Sequence, residues 1–294
     1  MPRSSDEHYT SDIVGGARSL PGAGLLAWIT GDQLHPPMLF DSEMWGDGTK
    51  WANGARRYVL ELGNVAELQP NEHILDIGSG VCGPARLLVD AFGIRVTAIT
   101  NSRAHAETSE RLNEVNDGHK SKIRVKLVSG TDDWPEGPYN VAWSLNMLYQ
   151  VIDHQELYGQ VCDSLVPGGR FILDDWMVTD HLSENDLRLF EYHFQFRNLV
   201  RLSRIENELT SVGFYPAVCV LDRGRAARGP MRQYFKPIME KHFLPMLLNE
   251  WPDGSADGMS GSQMARDFIE AVEHTLKLYM EGKLTYRTLV CFKP

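Results

Sequence analysis

Residues 73–107 read HILDIGSGVCGPARLLVDAFGIRVTAITNSRAHAE, and this stretch decides the fold. An apolar run, HILDI, ends in glycines at 78, 80 and 83. A helix-forming segment, PARLLVDAF, follows, and then a second apolar run, RVTAIT. Strand, glycine-rich turn and helix in that order open a strand–helix–strand unit. Glycines in the turn let the backbone approach a ligand and let the helix pack close to the strand. Pro84 falls near the first turn of the helix, where its missing N–H costs nothing. Ser102 is placed to cap the next helix, RAHAETSERLNEV.

The spacing of Gly78, Gly80 and Gly83 suits a nicotinamide dinucleotide and S-adenosylmethionine alike. The second strand decides against the dinucleotide. It runs out at Thr100 and Asn101, without the acid that such a site uses to hold a ribose. Asp76, two residues before Gly78, is placed to order the loop and reach toward an ammonium-bearing ligand. The motif also stands well inside the chain, behind segments that read as helices.

The same alternation continues downstream. IRVKLVSG (123–130) and YNVAWSLN (139–146) read as third and fourth strands. HQELYGQVCDSLV carries Leu157, Val161 and Leu165 at helical spacing, stopped by Pro167, Gly168 and Gly169. RFILDDWMV (170–178) is a fifth strand, a helical stretch at 183–212 leads into GFYPAVCVLDR, and LTYRTLVCFKP closes the chain. Strands separated by helices of this length predict an α/β fold, a mostly parallel sheet covered on both faces. The reading divides the chain into an N-terminal helical cover at 1–70, a core at 71–227, a helical cap insert at 228–282 and a last core strand at 283–294. The insert, placed near the strand ends, is expected to roof the ligand crevice.

Of the 294 residues, 43% are hydrophobic and 23% charged, and 39 Asp and Glu against 29 Lys and Arg give a net charge of −10. An acidic surface argues against a broad nucleic-acid face. Cys82, Cys162, Cys219 and Cys291 are scattered, as buried reduced thiols are, and no metal site is expected. The polar start MPRSSDEHYTSD is no secretory signal, and no apolar run is long enough to span a membrane. The expected location is cytoplasmic, with homo-oligomerisation left open.

LDIGSGVCGPARLL resembles the cofactor loop of class I S-adenosylmethionine-dependent methyltransferases. It is most similar to the small-molecule branch with the sarcosine and dimethylglycine, sterol, tocopherol and cyclopropane-fatty-acid enzymes. VTAITNS, LVPGGRFILDDW and the closing GKLTYRTLVCFKP are similar to the same families. The resemblance implies a Rossmann-like, seven-stranded sheet and S-adenosyl-L-methionine as cofactor. It assigns the cofactor to Asp76, Gly78, Ser79 and Gly80, with Thr100 and Asn101 at the ribose and Asn146 at the methionine part. Thr131 and Asp132 fall at the adenine, with Trp134 beside the ring or packed under the loop. His105 stands where relatives often carry glutamine, facing the ribose or the solvent.

For the acceptor, the histidine common after the fourth strand is missing, and Tyr149 and Gln150 stand there. Tyr149 is a candidate to orient an acceptor or shelter positive charge, or else a half-buried aromatic at a helix start. Asp175 and Trp176 lie at the end of the fifth strand, with loop bracing the commoner use of such an aspartate. His35, in a proline-rich connector, is a candidate base. Glu191 and His193 sit on an aromatic-rich helix that reads more readily as core, and Arg223, Arg225 and Arg228 as a solvated loop. The apolar insert points to a lipophilic acceptor and to carbon methylation of an isoprenoid-like or aromatic metabolite. Alternatives are N- or O-methylation of a small amine or hydroxylated metabolite, and a methyltransferase-like binding protein without turnover.

Overall fold

A computed structural model describes residues 48–128, 134–194, 198–222 and 261–294, together with Pro245. Helix α1 (Gly48–Val65) precedes β1 (His73–Ile77), α2 (Gly83–Phe92), β2 (Arg95–Thr100) and α3 (Arg103–Glu114). A short α4 (Asp117–Lys122) leads into β3 (Ile123–Leu127), and β4 (Tyr139–Leu145) ends in a 3-10 turn at Leu148–Gln150. Then come α5 (His154–Ser164), β5 (Leu165–Val178), α6 (Glu184–Phe194), β6 (Val200–Arg201) and α7 (Ile205–Ser211). The last elements are β7 (Val218–Asp222), α8 (Gly261–Met280) and β8 (Leu284–Phe292).

The strands lie in the order β3-β2-β1-β4-β5-β8-β7, with the two-residue β6 attached to β5. The pairs from β3 to β5 are parallel, and β8 is antiparallel to both β5 and β7. The strand order reverses between β1 and β4, so a crevice opens beyond their carboxyl ends, where ligands of such sheets bind. β1, β2 and β4 are buried almost throughout, which explains why they read as continuous apolar runs rather than alternating ones.

The local signals act as the chemistry requires. The hydroxyl of Ser102 accepts the His105 N–H and caps α3. Pro84 sits in the first turn of α2, and Gly93 ends that helix in the left-handed conformation, its N–H donating to Val89 O at 3.0 Å. α2 buries Leu87, Leu88 and Val89, each contributing roughly 1.5–3 kcal/mol. On this side of the sheet α1 adds Tyr58, Val59 and Leu62 to one core with Trp143, Tyr279 and Tyr286. The opposite face holds a second core that includes Leu75, Tyr158, Phe171, Leu209 and Phe214.

Four readings change. α1 belongs to the core rather than to a separate cover: a Cβ on Gly63 would stand 2.6 Å from Phe92 Cε2, so the glycine lets α1 and α2 close up. The break at Pro167–Gly169 is a bulge inside β5, because Tyr139 pairs with Leu165 but Val141 pairs with Arg170. Gly168 (φ 74°) gives its N–H to Lys293 O, and Lys293 returns one to Gly169 O, so the chain end secures the bulge. The stretch at 183–212 is not one helix, since β6 interrupts it to pair with β5. Its polar, helix-compatible sequence concealed a strand of two residues. Finally, α4 separates α3 from β3, capped by the Asn116 side chain. Among the described residues no helix is long and apolar enough to cross a membrane, and Cys82, Cys162 and Cys291 are buried free thiols.

Candidate active site

The glycine loop is fixed from three directions. Gly78 and Ser79 both donate backbone N–H groups to Ile99 O at 3.0 Å, and the Ser79 hydroxyl donates to the same oxygen at 3.3 Å. Ser109 of α3 donates to Gly80 O, while Arg86 of α2 holds Val81 O at 2.8 Å and Asn113 Oδ1 at 3.1 Å. Gly78 (φ 72°) lies against the β4 side of the crevice, where a Cβ would stand 2.3 Å from Met147 Cγ. Gly80 (φ 54°) differs, because among the described residues no atom beyond its chain neighbours lies within 4 Å of its Cβ position. Its backbone faces open space at the carboxyl end of the sheet. Cys82 adopts a left-handed φ of 61° without being glycine and forms the N-cap of α2.

Around the loop stand the other cofactor candidates. Asp76 is buried, and desolvation lifts its carboxyl from 3.8 to about 7. Thr100 Oγ1 accepts the Ser102 N–H at 3.2 Å, and Asn101 is exposed just beyond it. His105 is buried in the first turn of α3, which removes the solvent-facing alternative. Asn146 ends β4 in a left-handed conformation (φ 52°), with its N–H on Asp174 O at 2.8 Å. Its side-chain oxygen is buried without a hydrogen-bond partner among the described residues. Buried polar oxygens are rarely left so.

The end of β5 departs from the catalytic reading. Asp175 is fully buried, and its carboxylate accepts the N–H groups of Met147 (2.8 Å), Leu148 (2.6 Å) and Trp176 (2.7 Å). Burial raises its carboxyl to about 7 against the pull of these bonds. Such a carboxylate braces the turn after β4 and presents nothing to an acceptor. Trp176 is half-buried, its ring meeting Tyr279 at 5.5 Å and Tyr286 at 5.4 Å, both edge-on, so it joins α8 to the sheet. Tyr149 lies half-buried in the 3-10 turn beside the crevice.

Trp134 is also corrected. Its indole N–H donates to Ser164 Oγ at 2.7 Å. Ser164 immediately precedes Leu165, the first residue of β5, so this bond lies toward the amino edge of the sheet, away from the adenine position. Thr131, Asp132 and His35 lie outside the described residues, as do Arg223, Arg225, Arg228 and the side chains of Glu191 and His193. Among the described residues no group of three or more His, Cys, Asp or Glu could hold a metal ion. Arg86 falls on the arginine of the loop motif that carries the resemblance, whereas Ser109 and Met147 as parts of the loop's surroundings escaped the sequence reading.

These residues suit a cationic ligand: Asp76 offers a buried carboxylate, Asn146 an unpaired oxygen, and Gly80 an open backbone. The family comparison agrees. A profile of a methyltransferase domain matches residues 50–217, more than half of the chain. The chain belongs to this methyltransferase domain family. Its cofactor is S-adenosylmethionine. It is similar to the sarcosine/dimethylglycine N-methyltransferase of Halorhodospira halochloris, 26% identical over 156 residues, which are 52% of this chain and 54% of that protein. It is 25% identical to a sterol 24-C-methyltransferase of Yarrowia lipolytica over 139 residues, 47% of this chain and 36% of that one. The chain thus spans about half or less of the length of these relatives. A cyclopropane synthase of Mycobacterium tuberculosis shares the fold at a TM-score of 0.75 and 14% identity, with 99% of each chain covered.

Proposed function

We propose that this protein methylates a lipophilic small molecule, with carbon methylation of an isoprenoid-like or aromatic metabolite favoured over methylation of a polar amine. The observation that carries this reading is where the insert joins the sheet. β7 ends at Asp222, level with Arg287 and Asp175, and β8 starts at Leu284, level with Val178. The insert therefore leaves and returns at the carboxyl edge, beside the crevice. Its sequence includes YFKPIMEKHFLPMLLNEW and FIEAVEHTLKLYM, rich in Leu, Met and aromatic residues. An apolar ligand is held by the surface it withdraws from water, and methionines adapt to an irregular shape.

When bound, S-adenosylmethionine supplies an electrophilic methyl group, which leaves alignment and water exclusion to the protein. Gly78, Ser79 and Gly80 would lie along it, Asp76 and Asn146 would face its ammonium, and Thr100, Asn101 and His105 its ribose. Thr131 and Asp132 remain the adenine candidates. An alkene acceptor gains positive charge on methylation, and the ring face of Tyr149 is suited to shelter it. His35 is the candidate to take the proton then lost. In this reading residues 5–45 would cover the cofactor and the insert at 228–282 would roof the acceptor.

Identity to the sarcosine/dimethylglycine enzyme favours a second reading, N- or O-methylation of a small amine or hydroxylated metabolite. An acceptor screen with labelled S-adenosylmethionine separates the two. Prenylated and aromatic compounds should become labelled, while sarcosine and dimethylglycine stay inert. Efficient labelling of sarcosine or dimethylglycine alone would reverse the proposal. Cofactor binding with no acceptor labelled would point to a binding protein without turnover.

A further inference from the structure

Asp174 is the point where three parts of the molecule meet behind the site. Its carboxylate accepts hydrogen bonds from Tyr58 of α1 and Thr288 of β8, all three side chains being buried. Its backbone oxygen accepts the Tyr286 hydroxyl at 3.0 Å and the Asn146 N–H at 2.8 Å. The last bond fixes the residue that holds an unusual left-handed φ beside the glycine loop. Asparagine enters that conformation more readily than other non-glycine residues, and the bond to Asp174 O holds Asn146 in it. Asp175 secures the next two N–H groups of the same turn, from the other face of the sheet. Adjacent residues of a strand point to opposite faces, so Asp175 holds this turn with its carboxylate, while Asp174 holds it with its backbone oxygen and turns its own carboxylate to Tyr58 and Thr288.

A carboxylate has no need to be buried at this position merely to close a core. Burying a charge is costly unless hydrogen bonds satisfy it, and an apolar residue of similar size would do as well for packing. What Asp174 adds is connection: it links α1, which continues the N-terminal segment, to the orientation of Asn146. We propose that Asp174 is a positioning residue for methyl transfer, transmitting the seating of Tyr58 on α1 to the cofactor-facing side chain of Asn146. The inference rests on the reading of Asn146 as a cofactor contact, and it assigns α1 a part in cofactor affinity that packing alone does not give it.

A double-mutant cycle tests it, with S-adenosylhomocysteine as the probe and calorimetry as the readout. Tyr58→Phe removes one hydroxyl, keeps the ring in the core and touches no ligand. It should weaken S-adenosylhomocysteine binding about fivefold, a coupling of the usual size. Asn146→Ala should weaken binding by itself, and in its background Tyr58→Phe should have no further effect. Thr288→Val, approaching the same carboxylate from β8, should reproduce the pattern and serves if Tyr58→Phe does not fold. A purely structural role would lower the melting temperature and leave affinity unchanged. Unchanged affinity in both folded variants, or equal losses with and without the Asn146 side chain, would overturn the proposal. Wild-type protein that binds no S-adenosylhomocysteine would instead overturn the cofactor reading on which it stands.

Discussion

Replacing Asp76 by Asn should remove a large part of the stability that the protein loses as pH rises. In the folded chain burial lifts this carboxyl from 3.8 to about 7. The fold therefore prefers the protonated acid, whereas the unfolded chain ionises freely. The stabilising contribution is fully present below about pH 4, declines as pH rises toward about 7, and is level beyond. A shift of about 3 units, at about 1.4 kcal/mol each, makes the loss about 4 kcal/mol. Asn mimics the neutral acid and has no charge to bury. Near pH 4 the two proteins should unfold at similar urea concentrations; near pH 8 the variant should be the more stable by up to that amount. Asp175 has a similarly raised value, so both proteins retain its contribution and the difference isolates Asp76. Binding of S-adenosylhomocysteine should run the other way. Its ammonium favours the ionised carboxylate, so wild-type affinity rises with pH up to about 7 and calorimetry in buffers of different ionisation enthalpy detects a released proton. Identical urea midpoints for wild type and Asp76→Asn across this range, with no proton release on binding, would refute the reasoning.

Other outcomes follow from the same geometry. Gly80→Val should fold, with about 1 kcal/mol lost to the left-handed φ, yet fail to bind S-adenosylhomocysteine in a titration; retained affinity would mean that the open space is not the cofactor's. Gly78→Ala meets Met147 itself, so thermal melting should show a loss of about 1–3 kcal/mol as well as lost binding. Asp175→Ala leaves three backbone N–H groups unpaired and should cost about 3 kcal/mol or more in urea unfolding. Trp134→Phe should leave S-adenosylhomocysteine affinity unchanged and lower stability by about 1 kcal/mol, whereas a fall in affinity would return the indole to the adenine. Deleting residues 1–30 should reduce turnover of an accepted substrate more than it reduces the melting temperature.

The parts legible in the sequence were those set by near neighbours along the chain. The glycine turn, the Ser102 cap, the Pro84 helix start and the apolar strands each depend on a few consecutive residues, and each stands where the spacing predicts. A mostly parallel sheet also follows, because helices separate its first five strands. What stayed hidden depends on contacts between distant positions. Nothing near Trp134 announces that Ser164 will take its N–H, and Tyr58 and Asp174 are 116 residues apart. β6 was hidden for another reason: two residues carry too little pattern to show a period. Asp175 was visible as an acid at a strand end, but only burial distinguishes a brace from a base.

The joint between β7 and β8 bears on how such a protein could change its substrate. Asp222, at the exit of the insert, is clamped to the returning strand by Arg287 at 2.8 Å and by the Thr285 hydroxyl at 3.1 Å. Both ends of the intervening segment are thus held side by side by the sheet itself, whatever lies between them. Closing a loop whose ends are already fixed depends only weakly on its length. The sheet therefore tolerates changes of chain length between Asp222 and α8, whereas α8 itself stays part of the core through Leu278 and Tyr279. If the insert roofs the acceptor as proposed, exchanging the stretch between Asp222 and α8 would move acceptor preference without rebuilding the glycine loop.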